Sequence, residues 1–307
     1  MIGSTSRRGS AIVAVVALFA LGGCAMGGSP LLDEEPRPPP VEQGLGEPVG
    51  LAVARGEALL ISQQYEAAQA KFNKVLAREP DNYPAMLGLA EAQLGLRQLG
   101  DALAGFESVM ESDETRAKAL QGRGITLTLM GRGELGLPLL RQAVEREPGL
   151  WRSWNVIGRS HALEGDAEKA LASYDRALLA NGQAAPIYNN RGMTLIMTKR
   201  YSEAESSFRL ALALNPALMA AKMNLRLALA WQGRYDEAVA ELKRGEAPRV
   251  LNNIGFVAME RGDFATAKMF FTKAMEISPS YYPVAAKNLE ALRERKNLAA
   301  TTSELMG

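Results

Sequence analysis

The stretch IYNNRGMTLIMTKRYSEAESSFRLALALNP, residues 187–216, carries the frame that organises this chain. Gly192 is followed after twelve residues by Ala204, after four more by Phe208 and after three more by Ala211, and Pro216 closes the unit. Steps of four and three keep Ala204, Phe208 and Ala211 on one face of a helix. Small residues let two helix backbones approach closely, and the large side chain fills the gap one turn on. The frame recurs every 34 residues, at Gly124, Gly158 and Gly192, with Arg226 in the next place. The small–large–small set is Gly136, Leu140, Ala143; then Ala170, Tyr174, Ala177; then, after Arg226, Ala238, Leu242 and Gly245. Upstream, Gly56, Ala68, Phe72, Val75 and Pro80 fit, and Gly88, Ala102, Phe106 and Val109 fit with two extra residues. Downstream the fit is Gly255, Ala267, Phe271, Ala274 and Pro279.

This pattern resembles the tetratricopeptide repeat. The resemblance implies an all-α, right-handed superhelical solenoid of about seven helix-turn-helix units over residues 49–280. Neither helix of a unit can bury its apolar stripe without its neighbours, and the first helices should build a concave groove. A cap helix and tail are expected over 281–307, with charges at Glu290, Arg293, Glu294, Arg295 and Lys296 solvating the end. Two irregularities stand out. Pro138 should shorten or displace the second helix of unit three, and the unit beginning near Met219 is about five residues short.

The N-terminus is of another kind. Arg7 and Arg8 precede an apolar run from Ala11 to Leu21, too short for the about 20 residues that a membrane span needs. Leu21-Gly22-Gly23-Cys24 resembles a bacterial lipobox, which implies a signal peptide over 1–23 and a covalent lipid, palmitate included, on Cys24. Cys24 is the only cysteine, so acylation leaves no thiol for disulfides or catalysis. Ala25, where an aspartate would retain such a protein at the inner membrane, favours lipid anchoring at the outer membrane, facing the periplasm. Residues 24–48, with six prolines, read as an extended tether.

Balanced charge, 35 basic against 34 acidic residues, argues against a nucleic-acid partner. With one histidine, His161, and no free thiol, the usual nucleophile–base pairs and zinc sites lack parts. No phosphate loop or calcium loop occurs. The expectation is a non-catalytic protein with no cofactor, no metal site and no small-molecule substrate.

Its binding surface is expected on the groove. Asn190, Asn224 and Asn253 share one position of successive first helices, and Asn189 and Asn252 precede two of them. An amide both donates and accepts, so it can read the backbone of an extended peptide. Met193, Met197, Met223, Leu227, Trp231, Phe256 and Met259 flank this ladder and suit an apolar partner segment, although packing against the next unit is equally open to several of them. Trp231 is the one the frame does not require.

The segment LNNIGFVAMERGDFATAKMFFTKAMEISPSYYPVAAKNLEAL, residues 251–292, resembles the TadD group of Flp (tight-adherence) pilus assembly. That likeness implies an outer-membrane lipoprotein scaffold assisting assembly or localisation of the pilus secretin. A type IV pilus pilotin-like protein or a periplasmic adaptor for envelope enzymes is the alternative, and an enzyme with an unrecognised site stands behind both.

Overall fold

The computed structural model describes residues 47–278 and 283–306, with side chains as far as Arg295. Cys24, the signal segment and most of the proposed tether therefore lie outside the described residues. Among the described residues there are fifteen helices and no strand. They pair as α1 (Val49–Ile61) with α2 (Tyr65–Leu76), α3 (Tyr83–Gly95) with α4 (Leu99–Ser108), and α5 (Asp113–Leu129) with α6 (Gly133–Arg146). Then come α7 (Trp151–Leu163) with α8 (Ala167–Ala180), α9 (Ala185–Met197) with α10 (Tyr201–Leu214), α11 (Met219–Trp231) with α12 (Tyr235–Val239), and α13 (Ala247–Glu260) with α14 (Phe264–Ile277). The last helix, α15 (Pro283–Met306), packs on α13 and α14. Each second helix also packs on the first helix of the next unit, as expected for a repeat solenoid.

Inside five of the seven pairs a glycine and the large residue sixteen positions on meet directly. A β-carbon on Gly56 would lie 2.6 Å from the Phe72 ring, on Gly192 2.6 Å from Phe208, and on Gly255 2.8 Å from Phe271. Phe72, Phe106, Leu140, Tyr174, Phe208 and Phe271 are all buried, one to a unit. The unit-two register expected from Gly88 is corrected. Ala90, wholly buried, holds the glycine place sixteen residues before Phe106, so the 34-residue period runs unbroken from Gly56. Gly88 serves the joint instead: its missing β-carbon would lie 2.3 Å from Phe72 of the preceding unit.

The turn inside each unit confirms that register. Gln63, Arg97, Gly131, Gly165, Lys199, Gly233 and Gly262 all have positive φ and fall seven residues after the frame position. Four are glycine, which adopts this conformation freely, while Gln63, Arg97 and Lys199 adopt it at a cost of roughly 1–2 kcal/mol each.

Pro138 does not break its helix. α6 runs continuously through it, because Pro138 and Glu134 are both exposed and water can take the carbonyl left without its N–H partner. The cap is longer than expected: helix continues through the residues read as a tail, to Met306. At the other end Glu47, next to last in the expected tether, pairs with Lys71 at 3.0 Å, and its carbonyl accepts from Arg78 Nη1 at 2.7 Å.

Unit six departs most. α12 stops after five residues, so Leu242 and Gly245 do not continue a second helix. The cause lies at Arg226, which stands where the other units have glycine or alanine. Its side chain is buried. Nη1 donates to the carbonyls of Ala238 at 2.6 Å and Ala240 at 2.8 Å, closing the end of the short helix.

Two outcomes test this account by urea unfolding. Gly192→Ala should cost about 1–3 kcal/mol because the ring of Phe208 must move, whereas Gly133→Ala, with nothing within 4 Å, should be neutral or mildly stabilising. Lys199→Gly should raise stability by about 0.5–1 kcal/mol, the left-handed cost less glycine's extra chain entropy.

Candidate binding face along the first helices

Helical periodicity sorts the expected groove residues by distance from the frame position. Those one residue after it form a row along successive first helices: Glu57, Glu91, Ile125, Arg159, Met193, Leu227 and Phe256. The row passes from acidic to apolar along the chain. Those four after it, Met259 among them, turn inward. Met259 is 4% exposed and belongs to the core with Phe271 and Leu292, so it leaves the groove surface.

The asparagines form a seam rather than a set of free amides. Asn190 Nδ2 donates to Asn155 Oδ1 at 3.0 Å, Asn189 Nδ2 to Asn190 Oδ1 at 3.3 Å, and Asn224 Nδ2 to Asn189 Oδ1 at 2.9 Å. One step earlier, Gln121 Oε1 accepts from the backbone N–H of Ser153 at 3.1 Å and its hydroxyl at 3.2 Å. At the far end Asn288 Nδ2 donates to Asn252 Oδ1 at 2.9 Å, and Asn252 Nδ2 reaches Asn253 Oδ1 at 3.5 Å. Asn252 is buried by these contacts. The amides thus bind neighbouring first helices to one another, which compensates for the poor helix propensity of asparagine. Asn155 and Asn288 belong to the seam and were not singled out from the sequence, since a cross-unit partner has no local signal.

The seam has one gap. Among the described residues no side-chain hydrogen bond joins Asn224 on α11 to Asn252 or Asn253 on α13. There the structure opens a cavity of about 390 Å³, lined by Leu227, Trp231, Asn252, Asn253, Phe256, Val257 and Asn288. Five of these seven were expected from the sequence. Phe256 is 44% exposed, and among the described residues no hydrogen bond from the Asn253 amide N–H groups is found. Met197 is also exposed, whereas Met193 packs beside Leu195 and Phe208, and Met223 beside Leu229.

Trp231 is half-buried and structurally engaged. Its indole stacks on Tyr201, ring centres 5.3 Å apart and planes 3° from parallel. Its carbonyl accepts from Arg261 Nη1, and Arg261 Nε lies 3.1 Å from the Tyr235 hydroxyl and 3.2 Å from Asp263 Oδ2. The Tyr235 hydroxyl donates to the same Asp263 oxygen. This cluster ties the end of unit six to the turn of unit seven, where a full second helix would otherwise do so. Burial, then the bond to Asp263, pushes the Tyr235 phenol up to about 12.

A second cavity of about 400 Å³ lies at the other end of the same row, between Glu57, Glu91, Lys118, Gln121 and Arg152. Burial raises the Glu91 carboxyl above its ordinary range, against the pull of Arg152 and Lys118. These groups come from four different units, so no local stretch of sequence brings them together. His161 sits at the end of α7 with Nδ1 3.4 Å from Glu164, a helix-end contact. Among the described residues no group of three histidine, cysteine or carboxylate side chains could hold a metal ion, and no helix is long and apolar enough to cross a membrane.

Sequence profiles described as tetratricopeptide repeat match residues 59–124, 130–186, 185–218 and 248–281. The chain carries tetratricopeptide repeats. Curated relatives are distant. The probable UDP-N-acetylglucosamine–peptide N-acetylglucosaminyltransferase SPINDLY of Arabidopsis thaliana is 30% identical over 89 residues, 29% of this chain and 10% of that protein. The uncharacterized protein y4yS of Sinorhizobium fredii is 24% identical over 170 residues, 55% of this chain and 92% of that one. Protein FlbA of Caulobacter vibrioides is 24% identical over 151 residues, 47% of this chain and 25% of that one. Among solved structures, a chain of the APC/C Cut9–Hcn1 hetero-tetramer superposes with a TM-score of 0.63 at 17% identity, over 80% of this chain and 49% of that one. A chain of the human IFIT1 dimer with m7Gppp-AAAA does so at 0.54 and 17%, over 81% and 64%. These neighbours establish the fold alone. The tetratricopeptide-repeat architecture is a scaffold for protein–protein interaction, and the likeness to SPINDLY covers only a short part of that protein.

Trp231→Ala should therefore destabilise the chain by about 2–3 kcal/mol, while Phe256→Ala should change stability by less than about 1 kcal/mol. The phenol makes a pH prediction. With a folded pKa raised above the unfolded value of 10.0, Tyr235 contributes stability fully present below pH 10 and lost as pH rises towards about 12. Thermal melts should show Tyr235→Phe less stable than the parent at pH 8, with the difference narrowing between pH 10 and 12.

Proposed function

We propose that this chain is a non-catalytic, lipid-anchored scaffold of the outer membrane, facing the periplasm, that holds a segment of a partner protein on its first-helix face. The observation that carries the reading is the coincidence of the seam's gap with the apolar cavity. Asn253 and Asn224 offer amide groups on either side of the gap, and Leu227, Trp231 and Phe256 line the space between units six and seven. An extended segment would place a large apolar side chain in the cavity and its backbone between the two amides, completing the line of hydrogen bonds that the protein leaves open. Asn189 and Asn190 support this site by fixing the first helices, and Asn252, held by Asn288, forms part of its wall.

The lipobox-like Leu21-Gly22-Gly23-Cys24 and Ala25 support the anchor and its membrane. The TadD-like segment over 251–292 covers the cavity-bearing unit, and it supports a role in tight-adherence (Flp) pilus assembly with the secretin as partner. Stable anchoring needs more than one acyl chain, since a single chain binds a bilayer only marginally.

The test is a photo-crosslinking residue at position 256 in cells that assemble the pilus. Capture of the secretin, abolished by Asn253→Ala and unaffected by a control crosslinker at exposed Leu179 on α8, is the expected result. Capture of cell-wall hydrolases in its place would make the chain an adaptor for envelope enzymes. Cys24→Ser should release a folded chain from the membrane and reduce piliation; a Cys24→Ser chain that stays in the membrane fraction would remove the anchor.

A further inference from the structure

The first helices of units one to four carry a charge pattern that the cavity between units six and seven leaves unused. Some of their charges are satisfied: Arg55 pairs with Glu47, Arg116 with Asp113 and Arg123 with Glu107, and His161 contacts Glu164. The others form no ion pair among the described residues. They are Glu57 on α1, Glu91 on α3, Glu114 and Lys118 on α5, and Arg152 and Arg159 on α7. Unpaired charge thus runs from one carboxylate on each of α1 and α3, through one group of each sign on α5, to two guanidinium groups on α7. Glu114 lies in the first turn of α5, where the N-terminal end of its own helix attracts it.

All of these except Arg159 line one cavity, of about 400 Å³. The helices α1, α3, α5 and α7 are successive neighbours, so the cavity crosses four units with an acidic end and a basic end. Arg152 and Lys118 are near enough to pull the Glu91 carboxyl down, yet neither pairs with it, and burial holds it above its ordinary range. The floor also has an open donor. Gln121 is 6% exposed; its Oε1 is taken by Ser153, and its Nε2 donates to no group among the described residues. A shielded charge without a close counter-ion and a buried N–H without an acceptor are both unfavourable, and one ligand can relieve them together.

We infer that units one to four hold an extended segment of a second partner protein, one that carries a basic and an acidic side chain about five residues apart. The basic side chain lies at Glu57 and Glu91, the acidic one at Lys118 and Arg152, and a backbone carbonyl between them accepts from Gln121 Nε2. The spacing follows from the fold. Helices α3 and α7 are two helix spacings apart, roughly 16–20 Å, which an extended chain covers in about five or six residues at roughly 3.3 Å each. A single amino acid does not reach both ends, and a segment of one charge sign meets repulsion at one of them. The site shares no residue with the cavity around Trp231 and Phe256, so one scaffold can bring two proteins together.

Four labelled synthetic nonapeptides provide the probe. They share a serine–alanine backbone and differ at two positions five apart, which hold lysine then glutamate, glutamate then lysine, two lysines or two glutamates. Titrated with the full chain and read by fluorescence anisotropy, one of the mixed peptides should bind saturably. It should bind at least about ten-fold more tightly than either like-charged peptide, a difference of about 1.4 kcal/mol. Arg152→Glu should move the preference to the two-lysine peptide, Glu91→Gln should reduce the preference over the two-glutamate peptide, and Phe256→Ala should leave it intact. Circular dichroism of each variant confirms that the fold is retained. Equal binding of all four peptides, no saturation at millimolar concentration, or a preference unmoved by Arg152→Glu would overturn the inference. So would self-association of the chain abolished by Arg152→Glu, which would assign the site to a second copy. Loss of secretin capture at position 256 leaves this site standing, and failure of the peptides leaves the cavity between units six and seven standing.

Discussion

Five of the seven helix pairs in this chain close where one helix gives up its side chain to a large residue of the other. Gly56, Gly124, Gly158, Gly192 and Gly255 leave no room for a β-carbon beside the large residue they face. That steric lock sets the distance between the two helices, and the frame that carries it repeats every 34 residues as far as Arg226 and after 29 residues at Gly255. Everything on the first-helix face inherits its spacing from the lock, because a groove position is a fixed number of residues from a glycine. The asparagine seam adds direction: amides from adjacent units meet at 2.9 and 3.0 Å only if the units keep one relative rotation.

The exception is as informative as the rule. Arg226 sits where the lock needs a small residue, and it cannot admit a large partner. It caps Ala238 and Ala240 instead, the second helix ends, and the following unit is joined by the Tyr235–Arg261–Asp263 cluster and by direct packing of α11 on α13. The altered joint has two consequences. On the first-helix face the seam is interrupted and a cavity opens; beside α10 and α11 a second cavity, of about 430 Å³, lies past the end of α12. Both lie at the unit that carries Arg226 in the frame and is five residues short of the 34-residue period.

Much of the fold was legible because the frame is local and periodic. The small and large residues recur at fixed spacing, so helix pairing and unit boundaries could be read without a partner sequence. The same locality explains the misreadings. Gly88 looked like the frame residue of unit two because it is the only glycine near; Ala90 does that work, and Gly88 meets the previous unit's Phe72. Pro138 looked disruptive because its exposure was not visible. The site was half legible: Leu227, Trp231, Asn253 and Phe256 were found, whereas Asn155, Asn288, Glu91 and Lys118 act through other units and leave no mark within their own. Trp231 was recognised as unusual, but its stacking on Tyr201 required the fold.

The central claim is that partner binding concentrates at the altered joint between units six and seven. Amide hydrogen exchange of the full chain, with and without the proposed partner, the purified pilus secretin, tests it most directly. The account predicts added protection in α11 and α13, across Asn224 to Phe256, with little change in α1 to α6. Protection confined to the region of Glu57, Glu91 and Arg152, or spread evenly over all seven units, would contradict it.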